Sequence, residues 1–150
     1  MSKHQFRLQK VLKAKEIKKK VEQRKLAERQ QDLETEELEL KELKQTEQEF
    51  LSKLRQKRLK PTRGHEIRND SAYQRQVQKY VEQQDKKVAS AQQEVEEQRE
   101  TLIDATQETE MLDKLKEQDY QKYLQRVNKH EQKRVDELSQ FEPFRKDRDE

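Results

Sequence analysis

Along most of the chain the apolar residues recur in steps of three and four, the spacing that lines one face of a helix. In the second half Val77, Val81, Gln84, Val88, Ala91, Val95, Gln98, Leu102, Ala105, Thr109 and Leu112 keep that alternation without a gap. In the first half Leu26, Leu33, Leu40, Glu47 and Leu54 recur every seven residues, and Leu43 and Phe50 fill the position three further on. Both read as heptad seams with polar interruptions. Upstream, Val11, Ala14, Lys18 and Val21 continue a stripe in another phase, so the seam is expected to shift around the helix between Val21 and Leu26. After Leu112 the register advances by one residue, and Leu124, Val127, Glu131, Arg134, Leu138 and Phe141 carry it to Pro143, where the helix should stop.

One strong breaker cluster, Lys60-Pro61-Thr62-Arg63-Gly64, divides the two stripes, with Pro to end a helix and Gly to permit a left-handed backbone. The pattern predicts a helix over 4–59, a turn over 60–66, a helix over 67–141 and a tail over 142–150. Neither helix buries its stripe alone, and so short a connection favours antiparallel neighbours. The expected fold is all-α: a single antiparallel two-helix coiled-coil hairpin over 1–150, with the C-terminal helix overhanging from about residue 126. Its seam should be carried by Leu33, Leu40, Val81, Val88, Val95 and Leu102.

Composition sharpens this picture. Apolar residues make up only 28% of the 150 residues and charged residues 45%, which argues against an ordinary globular core. One Gly and two Pro leave too few corners for a sheet fold. The near balance of 35 basic and 32 acidic groups hides a local imbalance. Residues 1–29 hold eleven basic and three acidic side chains, and residues 97–125 hold four and eight. A hairpin centred near residue 63 would lay these stretches side by side with opposite charge. A parallel homodimer of straight rods conflicts with Pro61 and Gly64, and a lone charged helix conflicts with the unbroken stripe on the second leg.

Candidate chemistry is sparse. There is no cysteine, hence no disulfide framework or thiolate metal site. His4, His65 and His130 are too far apart in sequence for a helical metal pair and read as surface histidines. The sequence has no glycine-rich phosphate loop and no nucleophile elbow, so no catalytic, cofactor-binding or metal residues are assigned and an enzyme is not expected. The basic run from Lys13 to Lys25 admits a nucleic-acid reading, but no aromatic residues interleave it for base stacking, and nucleic acid is not an expected partner. No apolar run approaches a membrane span, and no apolar signal segment opens the chain, which points to a cytoplasmic protein without direct membrane insertion.

Three segments carry a family resemblance. Phe6-Arg7-Leu8-Gln9-Lys10-Val11-Leu12 resembles the Phe-Arg-Leu-Gln-x-x-Leu opening of the flagellar export protein FliJ family. The segment Tyr73 to Glu82 is similar to the start of that family's second helix, and Glu131-Gln132-Lys133 to Asp136-Glu137 resembles its Glu-Gln-Lys-x-x-Asp-Glu block, again followed by a short basic tail. The injectisome stalk proteins of the YscO class share the architecture. Gln76 and Gln83 depart from the family in being polar where more apolar character is expected.

The resemblance implies a non-catalytic cytoplasmic stalk of a type III protein export apparatus. Its partners would be a hexameric export ATPase, the cytoplasmic domain of the export gate and export chaperones, and it would sit peripherally at the inner membrane through that apparatus. The ATPase-contact candidates are then Glu131, Gln132, Lys133, Arg134, Asp136 and Glu137, and the export-gate candidates Tyr73 and Tyr80. Phe6, Leu8 and Leu12 are expected to pack near Leu124 and Val127. A structural or adaptor coiled coil of another assembly is the competing reading.

Overall fold

The computed structural model describes residues 4–149, and the side chains of residues 4–141. Two long helices, α1 (Gln9–Lys57) and α2 (Gly64–Asp149), pack against each other as a helical hairpin, and no strand occurs among the described residues. Basic Arg55 and Lys57 in the last turn of α1 and acidic Glu66 in the first turn of α2 each complement the helix dipole.

The helix ends differ from those expected. The connection is only residues 58–63, and Gly64 opens α2 without a positive φ, so no left-handed backbone is needed there. The turn closes by other means. Leu59 and Lys60 donate their N–H groups to the carbonyls of Gln56 (3.4 Å) and Lys57 (3.2 Å), and the Thr62 hydroxyl donates to the Lys60 carbonyl at 3.0 Å. At the C-terminus α2 runs on through Pro143 to Asp149, so residues 142–149 are helix rather than tail. Proline's fixed φ is helical, and the helix carries both the missing N–H and the crowding of the ring against the preceding turn at this one position.

Contacts gather into two compact units, Lys20–Asp104 and Met1–Lys19 with Ala105–Glu150. In Lys20–Asp104 the helices run antiparallel: Lys57 meets Asp70 (3.2 Å), the Phe50 ring meets Tyr73 edge-on (4.6 Å), and Arg29 meets Glu94 (3.2 Å). The pairs Glu36/Gln84 and Glu22/Gln98 both have residue 60 as their midpoint, three residues before the centre expected from the breaker cluster. Val77, Val88, Ala91 and Val95 are buried between the helices with Leu54, while Leu26, Leu33, Leu40, Val81 and Leu102 are half-buried. Each fully buried Val contributes about 1.5–3 kcal/mol, and a stripe this narrow offers few of them.

The seam in this unit is not wholly apolar. Glu22 is 7% and Gln84 is 4% exposed, whereas Val21, expected to point inward, is 41% exposed. The heptad phase set by Leu26 therefore continues upstream through Glu22, and the phase shift expected from Val11, Ala14, Lys18 and Val21 does not occur. The buried glutamate is tolerated because Gln98 meets it with an amide.

In the other unit Leu12 and Ala105, each 2% exposed, form the apolar centre. Lys15 and Lys19 are half-buried there, and Val11, Ala14 and Lys18 face water. Lys15 donates to the Glu108 carboxylate at 2.8 Å, which holds that carboxyl below its ordinary value of 4.5, first by the hydrogen bond, then by the charges of Lys15 and Lys18. Thr109, 5% exposed, donates its hydroxyl to the Ala105 carbonyl at 2.9 Å, so the polar side chain sits in the seam without an unpaired group. Beyond Leu112 the original phase holds at Asp119 and Tyr123, where His4 packs, and the expected advance by one residue is seen at Leu124 and Val127, both half-buried while Arg126 is exposed.

Candidate functional site

In the unit formed by Met1–Lys19 and Ala105–Glu150, His4 packs against α2. Its ring stacks on Tyr123 with centroids 4.7 Å apart, lies tilted 5.9 Å from Tyr120, and brings Nε2 to 3.1 Å from the Asp119 carboxylate without the alignment of a hydrogen bond. The imidazole is only 18% exposed, which corrects its assignment to the free surface. Phe6 and Leu8 are half-buried beside it in sequence, and Leu12 is buried. The aromatic stack was legible only as Tyr120 and Tyr123 three residues apart; nothing local pointed to His4 as their partner.

From residue 128 to residue 141 every side chain of α2 is exposed. All six of Glu131, Gln132, Lys133, Arg134, Asp136 and Glu137 fall in this stretch. Gln132 donates to Asp136 Oδ1 at 3.1 Å, and no ion pair with another described residue engages Lys133 or Arg134. Val135, Leu138 and Phe141, three residues apart in succession, are 52, 60 and 67% exposed. A helix normally buries such a stripe, so this segment presents a row of apolar side chains among charges of both signs.

The unit Lys20–Asp104 carries the other candidate residues. Tyr73 and Tyr80, seven residues apart on α2, are 45 and 48% exposed. Tyr73 rests its ring edge-on against Phe50, and Tyr80 accepts a hydrogen bond at its hydroxyl from the Gln76 amide at 3.1 Å. Gln76, which departs from the family pattern, thus fixes the orientation of the neighbouring tyrosine. Seam candidates Val88 and Val95 are 8 and 3% exposed, and Leu33, Leu40, Val81 and Leu102 are half-buried.

Among the described residues no group of three His, Cys, Asp or Glu side chains is placed to hold a metal, and no helix is long and apolar enough to cross a membrane. The arrangement offers surfaces rather than an enclosed pocket. Residues 4–148 match the family model described as the flagellar FliJ protein. No curated protein and no solved structure is similar enough to the chain to match it.

Proposed function

The chain belongs to the FliJ family of flagellar export components, and from that premise we propose that it is the non-catalytic stalk of the export apparatus, inserting its C-terminal helix into a hexameric export ATPase. The observation that carries this reading is the fourteen-residue exposed run of α2 over 128–141, which holds the most family-like block of the sequence. Mixed charges at Lys133, Arg134, Asp136 and Glu137 suit a ring lined with complementary charges, and they set orientation more than raw affinity. Val135, Leu138 and Phe141 supply the apolar contact that charges alone do not. Tyr73 and Tyr80 are the proposed contacts with the cytoplasmic domain of the export gate, as large half-exposed aromatics held in place by Phe50 and Gln76. Export chaperones complete the set of partners, and the protein is cytoplasmic, held peripherally at the inner membrane through the apparatus.

The test is titration of the cognate ATPase, with nucleotide present, against the chain and against a variant with Lys133→Glu, Arg134→Glu, Asp136→Lys and Glu137→Lys combined. Each partly exposed contact contributes about 1 kcal/mol or less, so the combined reversal should weaken binding on the order of tenfold or more and leave helicity unchanged. Unaltered affinity with unaltered circular dichroism removes this segment from the ring contact. Tyr73→Ala with Tyr80→Ala should in turn weaken binding to the isolated gate domain while sparing the ATPase.

A further inference from the structure

The connection between α1 and α2, within the unit Lys20–Asp104, combines two features that the stalk reading leaves unused. Leu59 is 87% exposed, the highest value among the exposed large hydrophobic residues described, and it stands between Arg58 and Lys60. Around it the charge is one-sided. Glu66 and Asp70 are the only acidic side chains between residues 50 and 81, and Lys57 approaches both, at 3.8 and 3.2 Å. No described carboxylate forms an ion pair with Arg55, Arg58, Lys60, Arg63 or Arg68, and all five are exposed.

We propose that this turn docks on an anionic phospholipid surface, with Leu59 entering the boundary between headgroups and acyl chains while Arg58, Lys60 and Arg63 meet the phosphates. The local backbone suits such an approach. Pro61 has no N–H to desolvate, and the carbonyls of Lys57 and Lys60 already accept bonds within the turn. Because Arg58–Arg63 lies outside both helices, Leu59 projects from a helix end rather than from a helix side. A groove that accepts a helix reads an apolar stripe several residues long, whereas the connection itself offers Leu59 alone, with Ile67 in the first turn of α2 the next exposed large apolar side chain along the chain. Attraction of clustered Lys and Arg to anionic lipid, joined to one shallow apolar anchor, makes a weak contact that salt reverses. It is a surface contact, compatible with the absence of a helix able to span a membrane among the described residues.

The experiment is co-sedimentation of the full chain with phosphatidylcholine vesicles, with and without about 30% phosphatidylglycerol, at low and high salt. Binding to the anionic vesicles only, lost at high salt, is expected. Leu59→Ala should lower the bound fraction's partition coefficient by roughly tenfold, and Arg58→Glu with Lys60→Glu and Arg63→Glu should abolish binding, both with unchanged circular dichroism. A control variant with Lys10→Glu, Lys13→Glu and Lys18→Glu, on the exposed side of α1, should keep most of the binding. Equal sedimentation with neutral vesicles, no sedimentation at low salt, or loss in the control but not in the turn variants would each overturn the proposal. So would undiminished binding in the Leu59→Ala and triple-reversal proteins.

Discussion

Gln84 is bonded twice to Glu36: its side-chain amide donates to the Glu36 main-chain carbonyl at 3.0 Å and to the Glu36 carboxylate as well. The same pair of hydrogen bonds joins Gln98 to Glu22, with 3.2 Å to the carbonyl. The two layers are two heptads apart on both helices, so they act together on register. A one-heptad slip would set Glu36 opposite Val77 or Ala91, leaving its carboxylate without an amide and Gln84 without a carboxylate.

Replacing Gln84 with Leu should therefore destabilise the fold by about 1–3 kcal/mol, because the carboxylate of Glu36 loses its partner in a half-buried site. Converting both residues to Leu should recover most of that loss, since an apolar layer has nothing to satisfy. Urea unfolding midpoints of the two variants and the parent check this. A Gln84→Leu midpoint equal to the parent's would mean that the layer contributes to register alone.

Val95, 3% exposed, faces the α1 helix in the same unit. Val95→Asp puts a carboxylate into the seam without a donor, and a loss of about 3 kcal/mol is expected, with Val88→Asp somewhat less costly at 8% exposure. Thermal melts followed by circular dichroism read the effect. Unchanged midpoints for both would show that the stripe contributes nothing to stability.

Glu108 titrates below its ordinary value because Lys15 donates to it. With a folded-state pKa lowered from 4.5, its contribution is fully present above that value and fades as pH falls through the lowered one. Lys15→Gln should move the Glu108 carboxyl resonance midpoint upward, toward 4.5, in an NMR titration. High salt should produce part of the same shift in the parent, since the pair is solvent-accessible.

Hairpin topology, the two helices and the apolar seam of α2 were legible in the amino-acid pattern, because helical periodicity is a local property and Pro61 with so short a connection leaves few alternatives. The exposed run of α2 over 128–141 was expected too, as an overhang from about residue 126. The charged block at Glu131 to Glu137 and the tyrosines at 73 and 80 came from the family resemblance and stand as proposed contacts.

What only the tertiary structure decided is which polar residues turn inward. Lys15, Lys19 and Glu22 follow buried Leu12 in the seam phase that Val11, Ala14 and Val21 were expected to hold, and those three face water. A reading by hydrophobicity follows the valines, since an isolated helix would bury them first. In the folded hairpin the opposite helix supplies Glu108 to Lys15 and Gln98 to Glu22, and a paired polar group no longer resists burial. His4 was missed for the same reason: its place beside Asp119 and Tyr123 depends on partners more than a hundred residues away, and no local pattern encodes a cost that a distant side chain removes.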